Sequence, residues 1–236
     1  MQRAAPGTSD GAGPLLVVID GPAGAGKSTL ARRLAARLGG TYLDTGAMYR
    51  ALTLAALRRG IDLACAEARR EVARDVHVGL APHPSDPAGA CRVLLDGEDV
   101  TEAVRTREVT NAIHHLADDG GVREVLVAQQ RRVAAASDRP VVAEGRDLGS
   151  VVFPHARVKI YLDASVEERA RRRARDLGAG APPLEVLREE IALRDRRDAS
   201  RAVGPLVRVP EAHAVDTTGL TPDAVLARLE AVVRGA

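Results

Sequence analysis

The chain has 236 residues, of which 45% are hydrophobic and 28% charged, and this composition is typical of a globular protein with a sizeable core. It contains no Trp, one Phe and three Tyr, which argues against a platform of stacked aromatic rings for single-stranded nucleic acid. The formal net charge of +2 is too small to indicate a duplex-binding surface, so we expect no nucleic-acid partner.

Three features of the chain favour a cytoplasmic location. The segment Met1–Gly13 is rich in Gly, Ala, Pro and Ser and lacks the hydrophobic core of a signal peptide. No apolar run reaches the roughly 18 residues of a membrane span. Cys65 and Cys91 have no metal-binding spacing, which fits free thiols in a reducing compartment. We therefore expect no membrane partner, a disordered tail over residues 1–14 and a single domain over residues 15–236. The sequence shows no obvious apolar interface stripe, so we expect a monomer.

The first predicted elements are a strand, a glycine-rich turn and a helix. Leu15–Ile19 is a short apolar run rich in β-branched residues, as in a buried strand. Beyond the turn, Leu30, Leu34 and Leu38 recur every four residues and form an apolar helix stripe that ends at Gly39-Gly40.

An inserted antiparallel sheet is predicted after the second strand. Tyr42–Leu43 starts that strand, and Met48–Arg59 has the pattern of a helix. Apolar and polar residues then alternate on both sides of a loop at residues 83–89 that contains Pro and Gly. This pattern predicts a small antiparallel sheet within about residues 70–105.

The second half of the chain alternates helices with buried strands. Helices are predicted at about residues 122–136, from Ser165 to a Gly- and Pro-rich break at residues 178–183, at about residues 184–201 and from Thr221 onward, and strands at Val141–Ala143, Val158–Leu162 and Ala214–Val215. This alternation predicts a three-layer α/β fold in which helices flank a parallel sheet. Ligands of such sheets bind at the carboxyl ends of the strands.

The turn after the first strand matches the phosphate-loop pattern GxxxxGK[ST] in full. Its glycines allow successive N–H groups to point at phosphate oxygens, and the following helix adds its positive dipole end. Lys27, one of only two lysines among 34 Lys and Arg residues, is predicted to reach the β- and γ-phosphates of ATP, and Ser28 to bind Mg²⁺. The predicted ATP-binding residues are Gly21, Pro22, Ala23, Gly24, Ala25, Gly26, Lys27, Ser28 and Thr29. This loop identifies the phosphoryl donor and not the acceptor.

Two segments that follow strands offer groups for an acceptor. After the second strand, the Thr45 hydroxyl and the Arg50 guanidinium suit a phosphate monoester, although a capped helix start would use the same residues. After the third sheet strand, adjacent Arg146 and Asp147 present a donor and an acceptor, a pair that could read a base such as cytosine. A surface ion pair in a turn is the alternative for this second segment.

Two helices carry further charged candidates. Arg169, Arg172 and Arg173 precede the break at residues 178–183. They suit a lid, at about residues 172–190, that closes on the triphosphate, and an ordinary basic helix is the alternative. Arg194, Asp198 and Arg201 have spacings of four and three residues and therefore lie on one helix face, for which a solvated charged face is the alternative.

Together these segments resemble cytidylate kinases of the bacterial type, a family of P-loop nucleoside monophosphate kinases. The resembling strings are IDGPAGAGKST, LDTGAMYRALTLAAL, LDGEDVTEAVRTREVTNA, GRDLGSVVFPHARVKIYLDAS, EERARRR and RDRRDASRAVGPL, which follow the family's order from about residue 15. The resemblance implies a P-loop NTPase-type fold whose nucleoside monophosphate-binding region, at about residues 41–135, includes the β insertion. It also implies phosphorylation of CMP and dCMP by ATP, with Mg²⁺ as cofactor.

The resemblance assigns roles to individual residues. The expected CMP-binding residues are Thr45, the arginines Arg50, Arg146 and Arg194 at the phosphate, Arg123 and Asp147 at the cytosine, and Asp198 and Arg201 at the sugar. Lys27, Arg146 and Arg194 are the expected catalytic residues, because the acceptor is already anionic and the reaction needs positioning and charge neutralisation rather than a base. His114 stands where a small hydroxyl residue is expected near the base.

Two other functions remain open from the sequence. A P-loop kinase for UMP or another small acceptor would carry the same donor site. A nucleotide-dependent switch without an acceptor would have no use for a second phosphate site built from Thr45, Arg50 and Arg146.

Overall fold

The computed structural model describes residues 14–82 and 91–236, and every structural statement below concerns these ranges. The predicted tail, apart from Pro14, and the predicted loop at residues 83–89 lie outside them. Within these ranges, no helix combines the length and the apolar character that crossing a bilayer requires.

The described chain contains eight strands and eight α-helices. The strands are β1 (Leu16–Asp20), β2 (Thr41–Asp44), β3 (Val78–Pro82), β4 (Cys91–Leu95), β5 (Glu98–Asp99), β6 (Val141–Glu144), β7 (Val158–Asp163) and β8 (His213–Asp216). The helices are α1 (Lys27–Arg37), α2 (Thr45–Arg58), α3 (Ala66–Asp75), α4 (Arg107–Ala117), α5 (Gly120–Ala135), α6 (Val166–Leu177), α7 (Leu184–Ala199) and α8 (Pro222–Gly235).

The main sheet is parallel throughout, as the alternating pattern predicts. Its strand order is β2-β6-β1-β7-β8, so the strand that precedes the phosphate loop lies at the centre. Val17 of β1 is the register partner of Val142 on one side and of Val158 on the other. All five strands therefore end at one edge, where ligands of parallel sheets bind.

Helices cover both faces of this sheet and give the predicted three layers. Val17 and Ile19 of β1 face a cluster that includes residues of α1 and α8, whereas Val18 faces a cluster built with α2, α4 and α5. Both faces of β1 are buried, which explains why its sequence is a continuous run of β-branched and aliphatic residues.

The inserted sheet is confirmed, but helices occupy more of this region than predicted. Strands β3, β4 and β5 form an antiparallel sheet, within which Val93 and Leu95 contribute to the larger core cluster. Residues 66–75, partly assigned to the insertion from the sequence, form α3 instead. Only Val72 and Ala73 of α3 are buried, so its apolar stripe is too thin to recognise from the sequence.

Helices α6 and α7 form a hairpin that rises from the carboxyl end of β7. Ser165 caps α6 as predicted, and its Oγ accepts a hydrogen bond of 3.2 Å from the Glu168 N–H. Ala170, Leu187 and Ile191 pack the two helices together in a small cluster of their own. The hairpin therefore has a core separate from the two clusters of the main sheet.

Candidate active site

The donor loop runs from Gly21 to the start of α1. Gly21 has a φ of +148°, and a Cβ at this position would overlap the Leu162 carbonyl oxygen of β7, so only glycine fits. Gly24 and Gly26 also have positive φ values, of +78° and +87°, which curl the backbone before Lys27 begins the helix. The loop thus has the conformation that turns amides toward a bound anion.

The amino group of Lys27 is buried within this loop. Its side chain donates a hydrogen bond of 2.7 Å to the Pro22 carbonyl oxygen, and the residue is only 5% exposed. Burial lowers the pKa of Lys27 to about 7, and the positive charges of Arg146 and Arg194 add to this effect against Glu144 and Asp20. An anion in the loop would therefore be strongly favoured, because it would supply the missing negative charge.

One carboxylate accepts the hydroxyl of Ser28, and a second lies next to the first on the neighbouring strand. Ser28 Oγ donates a hydrogen bond of 2.6 Å to Glu144 Oε1, which also accepts one of 3.2 Å from the Tyr42 hydroxyl. Glu144 ends β6 and is the register partner of Asp44, which ends β2. Burial, followed by the charge of Glu144, raises the pKa of Asp44 to about 6. Carboxylate and hydroxyl oxygens are the ligands that Mg²⁺ prefers, so this edge suits a divalent cation.

Three arginines from separate elements form a cluster of like charges next to the donor loop: Arg146 and Arg194 act on Lys27, and Arg50 acts on these two arginines. Arg50 lies on α2, Arg146 follows β6, and Arg194 lies on α7. Burial and the neighbouring charge of Arg146 lower the pKa of Arg194 to about 10. Burial also lowers the pKa of Arg50, and Arg146 contributes against the opposing charge of Asp44. Such mutual repulsion indicates a site prepared for a multiply charged anion.

A chain of ion pairs extends from this cluster. Asp198 Oδ2 accepts a hydrogen bond of 2.8 Å from Arg146 Nε, and its Oδ1 accepts one of 2.6 Å from Arg201 Nη2. Arg201 Nε donates to Asp118 Oδ1 at 2.7 Å. Asp198 thereby fixes the orientation of two arginines that are distant in the sequence, and Asp118, directly after α4, ties Arg201 to the end of that helix.

A second buried pair lies under the ring of Tyr49. The Arg123 guanidinium donates a hydrogen bond to the Asp147 carboxylate, and its Cζ lies 5.6 Å from the centroid of the Tyr49 ring. The Tyr49 hydroxyl and Arg123 Nε have no hydrogen-bond partner among the described residues, although both atoms are buried. Unpaired buried polar atoms are costly, so these two atoms are candidates for contact with a polar ligand.

The structure brings most of the predicted acceptor residues to this edge, with differences in detail. Thr45 begins α2, because the Asp44 carboxylate caps this helix by accepting from the Ala47 N–H at 2.8 Å. The helix therefore starts three residues earlier than predicted. The Thr45 hydroxyl donates to the Glu144 carbonyl oxygen at 2.7 Å, so it fixes the start of the Arg146 loop.

Two of the three predicted lid arginines are anchored rather than free. Arg169 is 4% exposed and donates to the Ala23 carbonyl at 3.1 Å and to Asp195 Oδ2 at 2.6 Å. Arg172 donates to the Thr217 hydroxyl and carbonyl at 2.9 Å and 2.7 Å. Arg173 is exposed and makes no hydrogen bond or ion pair within the described part of the chain. Arg169 and Arg172 differ from the prediction because both donate to backbone carbonyls that are distant in the sequence. The spacing of residues along a helix gives no information on such partners.

His114 turns its ring along its own helix. Its Nδ1 lies 2.8 Å from the Asn111 carbonyl oxygen, and its ring centroid lies 4.1 Å from that of His115. The residues that sequence reasoning missed are Glu144, Tyr49 and Asp118. Glu144 directly follows the predicted strand and lies two residues before Arg146, and that position was the available signal. Nothing in the local sequence marks Asp118.

Comparisons with known proteins agree with this geometry. A family model described as cytidylate kinase matches residues 17–234. A cytidylate kinase of Anoxybacillus flavithermus is 47% identical over 220 residues, which are 92% of this chain and 95% of that protein. A cytidylate kinase of Geobacillus kaustophilus is 48% identical over 219 residues, with the same coverage. An uncharacterized protein of Eubacterium ventriosum has a solved structure with a TM-score of 0.53 at 10% identity, covering 94% of this chain and 99% of that one, which shows a shared fold alone.

Proposed function

The chain belongs to the cytidylate kinase family, and from this premise we propose that it transfers the γ-phosphoryl group of ATP to CMP and dCMP, yielding CDP and dCDP. The observation that carries the proposal is the convergence of Lys27 with Arg50, Arg146 and Arg194. Backbone amides form one anion site and guanidinium groups form the other, both at the carboxyl edge of one sheet.

The donor loop binds the ATP phosphates through its amides, and Lys27 neutralises the β- and γ-phosphates. Ser28 would hold Mg²⁺, and Glu144 and Asp44 would supply further oxygen groups at this edge of the sheet. When bound, the cation supplies charge neutralisation on the transferred group. The pKa of Asp44 is raised first by burial and then by the charge of Glu144, so a cation here would favour the ionised form of both carboxyl groups.

The acceptor phosphate binds between Arg50, Arg146 and Arg194. These side chains hold one of its oxygens in line with the γ-phosphorus and exclude water from the path. The acceptor oxygen is already ionised at neutral pH, so no side chain removes a proton. Arg146, Arg194 and Lys27 stabilise the charge that spreads over the equatorial oxygens during transfer.

The pair Arg123 and Asp147 reads the cytosine. Asp147 accepts from the exocyclic N4 amino group, and the guanidinium donates to the ring acceptors beside it. UMP presents an oxygen in place of this amino group, so its O4 would face the Asp147 carboxylate without a hydrogen. Asp198 and Arg201 reach the sugar, and their orientation does not depend on a 2′-hydroxyl, which allows dCMP.

The hairpin of α6 and α7, over about residues 172–190, acts as the lid, and its exposed Arg173 makes no ion pair among the described residues. Arg169 and Arg172 fasten the lid base to the donor loop and to the turn after β8. We also infer a monomer, because one chain supplies every residue nominated for either substrate, and a cytoplasmic location, where both nucleotides occur. Size-exclusion chromatography with light scattering tests the first of these inferences.

A coupled assay of ADP formation tests the function. CMP and dCMP should stimulate ADP formation by at least about 100-fold over ATP alone, and UMP and AMP far less. Lys27→Ala should abolish turnover, whereas Arg146→Ala should raise KM for CMP and lower kcat with little change in ATP binding. ATP hydrolysis that CMP does not stimulate would favour a nucleotide-dependent switch, and equal rates with UMP would refute the cytosine assignment.

A further inference from the structure

A buried carboxylate that the proposed chemistry does not use joins the two substrate loops. Asp20 is the last residue of β1, directly before Gly21, and it is 5% exposed. Its Oδ1 accepts a hydrogen bond of 2.9 Å from the Leu148 N–H, and its Oδ2 accepts one of 2.8 Å from the Gly149 N–H. These amides belong to the two residues that follow Asp147.

The two amides would otherwise lack partners. Leu148–Val152 forms a wide helical turn, and the first N–H groups of such a turn have no partner within it. A carboxylate at this end satisfies two of these donors and carries the charge that the helix terminus favours. The anchor therefore comes from a strand 128 residues earlier in the chain.

The turn is seated closely against this carboxylate. A Cβ added to Gly149 would lie 3.5 Å from Asp20 Oδ2 and 3.4 Å from Lys159 Cδ. Arg146 and Asp147 come immediately before the anchored amides, so a shift of the turn would carry both side chains with it. The backbone of Asp20 leads directly into the donor loop.

We propose that Asp20 is a positioning residue that holds the acceptor loop, with Arg146 and Asp147, in register with the donor loop. This inference rests on the proposed function of the two loops. Asp20 touches neither substrate and acts through the Leu148 and Gly149 amides. It thereby sets the distance between the donor loop, which holds the ATP phosphates, and the acceptor loop, which holds CMP through Arg146 and Asp147.

The charge of Asp20 agrees with this role. Burial raises its pKa to about 6, with a contribution from Asp147, while the Gly149 and Leu148 amides and Lys27 oppose the rise. The group is therefore a carboxylate at neutral pH, and only this form accepts both amides without presenting a proton to either.

The test is Asp20→Asn, which keeps the side-chain volume but turns an NH₂ group toward one of the two amides. ATP binding without CMP should change less than about threefold, whereas KM for CMP should rise at least about tenfold. The ratio of kcat/KM for CMP to that for UMP should fall about tenfold as well, because Asp147 is displaced. Mere loss of stability would leave this ratio unchanged.

Asp62→Asn is the matched control, because the Asp62 carboxylate also accepts a backbone amide, from Ala64 at 2.8 Å, but in an exposed turn. This variant should leave all three quantities within about twofold. This inference alone is overturned if the wild-type protein phosphorylates CMP and the Asp20→Asn variant has an unchanged KM for CMP and an unchanged ratio of kcat/KM for CMP to that for UMP. Wild-type protein without CMP kinase activity overturns the proposed function.

Hydrogen exchange in the wild-type protein gives a readout that does not depend on how the variant folds. The Leu148 and Gly149 amides should exchange as slowly as those of β6, because a buried carboxylate holds them. Exchange as fast as in exposed loops would overturn the positioning role.

Discussion

Replacing Lys27 by methionine should stabilise the nucleotide-free protein while abolishing phosphoryl transfer. The amino group is buried, is repelled by Arg146 and Arg194, and has a pKa lowered from 10.5 to about 7. One pKa unit corresponds to about 1.4 kcal/mol, so below pH 7 the charged lysine costs the folded state about 5 kcal/mol. Loss of the hydrogen bond to the Pro22 carbonyl offsets about 1 kcal/mol of this cost. The methionine variant should therefore have a free energy of unfolding about 4 kcal/mol higher than that of the wild type.

The sign of the pH dependence follows from proton binding. Between about pH 7 and pH 10.5 the unfolded chain keeps a proton that the folded wild-type protein has lost, so wild-type stability rises with pH. The advantage of the methionine variant should therefore shrink, from about 4 kcal/mol at about pH 6.5 to about 1 kcal/mol at about pH 9. Methionine does not titrate, so residue 27 of the variant adds nothing to the pH dependence of the free energy of unfolding.

Urea unfolding followed by circular dichroism, in buffer free of phosphate and nucleotide, measures this difference. The only other lysine provides the control: Lys159 is 8% exposed and its Nζ lies 2.5 Å from Glu211 Oε1, so Lys159→Met removes an ion pair and should not stabilise the protein. A Lys27→Met variant that is less stable than wild type at about pH 6.5, or whose advantage does not fall with pH, would refute the reasoning.

Three further predictions concern individual carboxylates. Glu144→Gln should raise the Mg²⁺ concentration for half-maximal activity at least about fivefold with KM for CMP nearly unchanged, and a titration of initial rates against Mg²⁺ checks this. Asp198→Asn should lower the free energy of unfolding by about 3 kcal/mol, because two guanidinium groups lose a partner that is 4% exposed; an unchanged urea midpoint would contradict this. Asp147→Asn should reduce the preference for CMP over UMP about 100-fold, measured as the ratio of kcat/KM values, and an unaltered preference would locate base reading elsewhere.

Local patterns in the sequence predict the layout of the main sheet. The apolar run at Leu15–Ile19 has to be buried on both faces, and the helix after it has one apolar stripe, so a strand–loop–helix unit follows from periodicity alone. Helix α4 was not predicted, because its start depends on Thr106, whose hydroxyl accepts from the Val109 N–H, while only three of its residues are buried.

The donor loop is predictable because backbone conformation creates it and glycine spacing determines that conformation. Side-chain partners that are distant in the sequence are not predictable in this way. The crowding of Asp44 and Glu144 depends on the register of β2 against β6, and the anchoring of Arg169 depends on a carbonyl 146 residues away. Sequence spacing indicates which residues share a helix face, but not which of them are already engaged by the rest of the fold.

The central claim is that the amide site and the guanidinium site face each other, and a crystal structure with CMP and a non-hydrolysable ATP analogue tests it most directly. The account predicts the CMP phosphate between Arg50, Arg146 and Arg194, with an oxygen in line with the γ-phosphorus held at Lys27. A CMP phosphate bound away from these arginines, or directed away from the triphosphate, would contradict it.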